Sequence, residues 1–580
     1  MIDAADRAGL ERELTMLKSN DPAEAAVLQA GLALLGRDAE AAIKNAETAI
    51  ALRGDFAAAY RIRGRALQSM GQHKEAVADF ERALSFVATD AELLAEQAQA
   101  YLALGEAADA RDCFHLALAL APDFVAARVG LARLMQEAGE LDAALEHIRS
   151  AARLAPLDAG IHFESARIHG QCDEIEGAVG AYERGLECSP DDAAACANFG
   201  LLLLSRIGDP RRAQQYFERA IKLDPGGVEA QANLGLALQE QGQVSAAIAH
   251  YEKLIAAYPG ENEYRWNRGL ALLASGDYLR GWPDYEMRNA RGRGAAPRNF
   301  PFPQWNGEKL ATGAGLLIYG EQGLGDEVMF ASCIPDLLVR QPDCLIECEP
   351  RLAGLFARSF PAAKVHGAMR DGDRRWLAEF PHIQAQCAIG SLPRLLRKSL
   401  ADFPRHQGYL VADAQRVARW RTPLVNKAGN LNVGIAWRGG TRRTRGDLRS
   451  IPLGELAAIV RMPGITFINL QRNGGPELAE FALPFGAPVI NCDEALADVD
   501  KMAALLRALN AVITVDNSVA HLSGALGVST HLLLCHSADW RWSRGGTAAP
   551  WYPAVSLHRQ QTPGDWKSAL AQVTAALQRE

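Results

Sequence analysis

Two hydrophobic patterns divide the 580-residue chain. In the first half, small residues, mostly alanine, recur at helical spacing, and a single large side chain recurs with a longer period. Prolines stand at Pro122, Pro156, Pro190, Pro225 and Pro259, at intervals of 34, 34, 35 and 34 residues. Eight residues before them lie Phe114, Ile148, Tyr182, Phe217 and Tyr251. This period predicts stacked helix pairs. Small residues let one helix approach the next, the large one fills the gap between units, and proline ends the second helix because it lacks an N–H and restricts the residue before it. Such units bury a continuous core only by stacking, and about eight are expected over roughly residues 20–290. The 35-residue interval is expected to carry its extra residue in the turn at 205–210.

From about Arg291 the pattern changes. Residues 291–298 read as a loop by composition, and 427–430 supply turn chemistry. Short apolar runs then alternate with amphipathic stretches. Strands are predicted at 315–320, 344–348, 383–387, 432–437, 465–470, 511–515 and 530–535. Strands alternating with helices imply parallel, doubly wound sheets, in two sets split near 412–431. Two such units facing each other form a cleft at the strand carboxyl ends. The domain reading is an array over 1–290, one α/β domain over 291–415 and a second over 416–580.

Composition narrows the class. Apolar residues make up 49% and charged residues 22%, so large cores are available and wholesale disorder is excluded. The net charge of −8 disfavours a nucleic-acid partner. No apolar run approaches the ~18–20 residues of a membrane span, and the first seven residues lack the basic and apolar regions of a secretory signal, so a cytoplasmic location is expected. Ten cysteines without a C-x-x-C pair read as reduced and mostly buried. His147, His162, His169 and His250 fall on the array without metal-ligand spacing and read as packing residues.

Three segments at strand ends carry candidate chemistry. In 319–327, Gly323 and Gly325 let backbone N–H groups approach a ligand at a helix start; Asp326 is either a base or that helix's cap. In 437–450, Arg438, Arg442, Arg443, Arg445 and Arg449 follow a buried strand; their forks suit phosphate or carboxylate oxygens, against the alternative of a solvated loop. In 515–527, the strand ends at Asp516, Asn517 or Ser518 caps the next helix, and His521 lies in its first turns. Free N–H groups there favour a phosphate. Ser523, Gly524 and Ala525 allow close packing. Asp371-Gly-Asp373 and Asp498-Val-Asp500 read as solvated acidic turns rather than metal ligands.

The repeat resembles the tetratricopeptide repeat. A spaced set of motifs extends the likeness: Pro303-x-Trp305-x-Gly307, Gly320-Glu-Gln-Gly323-x-Gly325-Asp326, Val515-Asp516-x-Ser518-x-Ala520-His521, Asp539-Trp-Arg-Trp542, Trp551-Tyr-Pro553 and Gly564-Asp-Trp566. Together they resemble bacterial tetratricopeptide–glycosyltransferase proteins, whose second halves are similar to heptosyltransferases and, more remotely, to O-linked N-acetylglucosamine transferases. The resemblance implies an α-superhelical repeat array followed by an α/β GT-B fold of two Rossmann-like domains. It also implies inverting sugar transfer from a nucleotide-activated donor, with no metal and no cofactor. Asp326 takes the role of base. Gly323, Gly325, Arg438, Arg442, Arg443, Asp516, Asn517, Ser518 and His521 form the donor site.

The leading expectation is a protein O-glycosyltransferase whose repeats capture a protein acceptor on their concave face. Among bacterial proteins of this layout, those that modify flagellin with a nonulosonic acid are a good match in architecture. Two alternatives stand beside it: a non-catalytic repeat scaffold with a degenerate glycosyltransferase fold, and transfer to a lipopolysaccharide or other glycan. A nucleotide sugar is the expected small-molecule partner, and homodimerisation through terminal repeats is an open option.

Overall fold

The computed structural model describes residues 21–87, 89–290, 298, 300–425, 430–440 and 446–579. The predicted loop at 291–297, the turn at 427–429, the N-terminal seven residues, and Arg442, Arg443 and Arg445 lie outside the described residues. The chain divides into two compact units, residues 1–195 and 196–580. The later repeats therefore go with the α/β region in one unit.

Among the described residues the array comprises eight helix pairs, the first Pro22–Leu35 with Ala39–Leu52 and the last Asn262–Ser275 with Tyr278–Tyr285. The helices before the recurrent prolines end two residues earlier, at Leu120, Leu154, Cys188, Leu223 and Ala257. In the first unit, Phe114 shows why a glycine recurs opposite the large residue: a Cβ at Gly130 would lie 2.3 Å from its ring. His162 and His169 are buried and bonded to Pro156 O and Glu174, each at 2.8 Å, as packing residues. In the second unit a Cβ at Gly235 would meet the Tyr251 ring at 2.3 Å, and His250 bonds Gln231 O at 2.9 Å.

The extra residue of the longer repeat does not sit in the turn. It is absorbed one step earlier, where the first helix of that pair, Ala193–Leu202, widens into a π-helical turn at Leu203–Ile207 before left-handed Gly208 and the capping Asp209. One additional residue fits a backbone ring closed by i→i+5 bonds.

Ten strands follow. β1 (Gly315–Tyr319), β2 (Cys344–Cys348), β3 (Lys364–Gly367) and β4 (Ile383–Ala388) form a parallel sheet in the order β3-β2-β1-β4. β5 (Leu431–Ala436), β6 (Ile465–Asn469), β7 (Val489–Asn491), β8 (Ala511–Val515), β9 (Thr530–Leu534) and β10 (Val555–Arg559) form a second parallel sheet in the order β10-β9-β8-β5-β6-β7. All seven predicted strands are present. β1, β2, β5, β6, β8 and β9 are almost wholly buried, as strands covered on both faces must be. In each sheet the order reverses beside the first strand, between β1 and β4 and between β5 and β8. Such reversals leave a crevice at the carboxyl ends.

The last repeat is built into this α/β core. Tyr278, Trp282 and Tyr285 share one apolar cluster with residues of both sheets' helices. Trp282 is buried edge-on against Trp540 and Trp551, and its Nε1 donates to Arg397 O at 2.7 Å.

Candidate functional site

A cleft of about 860 Å³ opens at the carboxyl ends of β5 and β8 and reaches the turn after β1. Every predicted site residue that is described lines it: Gly323, Gly325, Asp326, Arg438, Asp516, Asn517, Ser518 and His521. Arg351, Arg449, Arg472 and Arg541 line it too, so five arginines face four aspartates, Asp326, Asp498, Asp516 and Asp539.

Two short helices bring the glycine turn and the histidine together. The Leu324–Phe330 helix packs against the Ser518–Ala525 helix. Gly325 is the point of approach, since a Cβ there would lie 3.0 Å from His521 Cδ2. Asp326 serves as the cap: its Oδ2 accepts from Gly323 N at 3.0 Å, while its Oδ1 accepts from Arg541 Nε at 3.0 Å and Nη2 at 2.5 Å. Arg541 also donates from Nη1 to Asp539 at 2.7 Å. Both Asp326 oxygens are therefore engaged.

The second helix is capped by Asn517. Its Oδ1 accepts from Val519 N at 2.9 Å and Ala520 N at 3.3 Å, and its Nδ2 donates to Arg438 O at 3.2 Å. The cap thus uses two of the N–H groups expected to meet a phosphate. Ser518 is exposed at the first helical position. Asp516 is buried and accepts from Arg449 Nη1 at 3.0 Å, and its backbone O accepts from the same nitrogen at 3.2 Å. An anionic carboxylate so engaged orients Arg449 and is itself no ligand for an anion. Arg438 turns to the rim, where its side chain pairs with Glu477.

His521 is buried, stacked on Trp542 with ring centroids 5.0 Å apart, and its Nδ1 lies 2.9 Å from Tyr552 Oη. Burial pulls its pKa below the ordinary histidine value. Gly524 permits this arrangement: a Cβ there would meet the Tyr552 ring at 2.6 Å.

From the sequence, Arg541 and Asp539 had no assigned role, and Arg449 was only one of five candidate arginines in its loop. The first two lie in the Asp-Trp-Arg-Trp motif just past β9, another strand whose carboxyl end faces the cleft; Arg449 is the last arginine of the loop after β5. Asp500 is also not the solvated turn expected from its motif. It receives Arg416 Nη1 at 3.1 Å and pairs with Arg358, while Asp498 caps the Val499–Ala508 helix. Among the described residues no group of three or more His, Cys, Asp or Glu is placed to hold a metal, and no helix is long and apolar enough to cross a membrane.

The crevice of the first sheet is filled from within the chain. Arg288, three residues past the last repeat helix, donates from Nη2 to Glu321 at 2.7 Å and to Ser391 Oγ at 2.7 Å. Glu321 also accepts from Gly390 N at 3.1 Å. These residues follow β1 and β4, the strands between which that sheet's order reverses.

Comparison with known proteins agrees with the array. Models of the tetratricopeptide repeat match residues 57–86, 95–159, 136–193, 201–262 and 233–281. Repeats of this type serve as protein-binding scaffolds. Among solved structures, the anaphase-promoting-complex hetero-tetramer Cut9–Hcn1 aligns at 17% identity over 40% of this chain and 46% of its own, with a TM-score of 0.35. YrrB, a repeat protein with an unusual peptide-binding site, aligns at 19% identity over 32% of this chain and 95% of its own, with a TM-score of 0.28. Protein FlbA of Caulobacter vibrioides is 30% identical over 419 residues, 69% of each chain. The match is long enough to extend beyond any part of the array, and the chain belongs to the family of Protein FlbA.

Proposed function

We propose that the chain is a GT-B glycosyltransferase that moves a sugar from a nucleotide-activated donor to a hydroxyl of a protein held by the repeats. The observation that carries this reading is the cleft between β5 and β8. Its volume of about 860 Å³ suits a nucleotide sugar, and its arginines suit a diphosphate. Arg449 and Arg541, each steered by an aspartate, would stabilise charge developing on the leaving phosphate, the main electrostatic demand of such a transfer. Removal of the acceptor's proton falls to one of two groups that meet at the Gly325 turn, Asp326 or His521. On the resemblance alone, flagellin and a nonulosonic acid are the first acceptor and sugar to assay.

The test is a thermal-shift panel of ADP-, UDP-, GDP- and CMP-activated sugars on the full chain and on Arg449→Ala. Stabilisation by one nucleotide class, lost in the variant, supports the donor site. A flat response across the panel favours the second reading, a repeat scaffold that binds a protein partner without transfer.

A further inference from the structure

The turn after the first helix of a repeat pair carries a left-handed glycine at Gly71, Gly105, Gly139, Gly208, Gly242 and Gly276. A Cβ added at Gly71, Gly105, Gly139, Gly242 or Gly276 would meet nothing within 4 Å. At Gly208 it would lie 3.4 Å from Leu448 Cδ2. Gly208 also closes the π-helical turn Leu203–Ile207, where the sixth pair holds its extra residue. From that turn Arg206 Nη2 faces Asp447 Oδ2 at 3.6 Å. Among these glycine turns, the lengthened one is therefore the one that is covered, and the cover comes from the loop after β5. Single π-helical turns are often found at functional sites, and this one lies at the contact.

Asp447 and Leu448 belong to a single helical turn, Gly446–Arg449. Its base is tied to β5. Ser450 Oγ accepts from Gly439 N at 3.0 Å and donates to Gly446 O at 2.7 Å, and Ile451 N donates to Trp437 O at 2.9 Å. Successive side chains on a helix point about 100° apart. With Leu448 turned to the array, Arg449 turns to the cleft, where its Nη1 reaches Asp516 at 3.0 Å. The loop after β9 is tied to the array as well: Arg544 N donates to Ala274 O at 3.0 Å, in the first helix of the eighth pair. Arg449 and Arg541 therefore both sit on loops that rest on repeats. Asp447 is exposed, and such an ion pair contributes little. The half-buried Leu448 carries the seat.

We propose that Leu448 is a positioning residue of the donor site: seated on Gly208, it fixes the turn from which Arg449 reaches Asp516, and the sixth repeat pair is thereby part of the donor site as well as of the array. The role towards a donor rests on the sugar-transfer reading; the placement of Arg449 does not.

Melting of the full chain without ligand tests the placement. Four chains form a cycle: native, Leu448→Ala, Arg449→Gln and the double variant. In the native background Arg449→Gln leaves the buried Asp516 carboxylate without that guanidinium, and Tm should fall. In the Leu448→Ala background Arg449 has lost its seat, and the same change should lower Tm by less than half as much. Leu448→Met fills the seat again and should restore the full loss. Equal losses in the alanine and native backgrounds, zero in both included, overturn the proposal. If Leu448→Ala does not melt cooperatively, Leu448→Val takes its place in the cycle.

Binding then tests the donor site. With whichever sugar of the ADP, UDP, GDP and CMP panel stabilises the native chain, Kd should rise about tenfold in Leu448→Ala, the loss of one charge-assisted contact, and return towards the native value in Leu448→Met. An unchanged Kd in Leu448→Ala overturns the role towards the donor. If no donor binds, the transfer reading falls, and the melting cycle still decides whether Leu448 places Arg449.

Discussion

Arg541 and Asp326 stand 215 residues apart in sequence and meet through two hydrogen bonds, at 3.0 and 2.5 Å. The pair joins the loop after β9 to the helix start after β1. Both side chains are less than one-fifth exposed. Replacing Arg541 by Ala strands two carboxylates, those of Asp326 and Asp539. We expect a loss of about 2–3 kcal/mol in urea unfolding. Arg541→Lys should recover only part of it, because one ammonium cannot reproduce the fork. Equal stability of Arg541→Ala and the native chain would mean that the pair contributes nothing.

Gly325 gives room to the His521 ring, and Gly524 to the ring of its partner Tyr552. Added methyls would meet His521 Cδ2 at 3.0 Å and the Tyr552 ring at 2.6 Å. Gly325→Ala and Gly524→Ala are each expected to destabilise by about 1–3 kcal/mol, as overpacked cores do. Gly524→Ala should be the worse, since its approach is closer and its neighbour is a fully buried ring. Calorimetric melting of both variants ranks them.

Two buried groups titrate with opposite sign. Burial pushes the Glu327 carboxyl up to about 7 from 4.5. The unfolded chain ionises first, so this group's contribution is full below 4.5 and is lost as pH rises through 7. Burial, with His531 beside it, pulls His558 down to about 4 from 6.5. Its contribution is full above 6.5 and is lost as pH falls towards 4. At about 1.4 kcal/mol per pH unit, each is worth roughly 3–4 kcal/mol over its window. The two windows overlap with opposite slopes, so unfolding free energies measured from pH 4 to 9 should rise more steeply with pH between 4.5 and 7 in Glu327→Gln, and fall more steeply with pH between 4 and 6.5 in His558→Gln.

Trp282 makes a prediction about fragments. Its indole is buried among Trp540, Trp551 and Tyr285. A chain of residues 196–580 keeps that core and should melt cooperatively. A chain of residues 291–580 lacks Trp282 and Tyr285, and should aggregate or melt without a sharp transition. A cooperative 291–580 fragment would show that the last repeat is dispensable to the α/β core.

How much was legible followed burial. The repeat could be read because each unit must plug its neighbour with one large side chain at one position. The seven strands found from sequence include every interior strand, where both faces are covered and the apolar run is continuous. The three missed, β3, β7 and β10, are all edge strands. Their sequences, such as Lys-Val-His-Gly in β3, carry polar residues that one uncovered side permits. Within the site, glycines and caps were legible because their chemistry is local. Arg541 was not, since its partner lies in a distant segment and no local pattern encodes the meeting. Asp500 was misjudged for the same reason: its two arginines come from elsewhere in the chain.

The filling of the first crevice by Arg288 bears on how such a protein can diversify. The two sheets share a strand order, and at the reversal of the first the chain places Arg288. The first has become a socket for the array's own tail, with Glu321 and Ser391 as its wall. The repeats can change what they grip along their length, provided the arginine at their end stays in its socket.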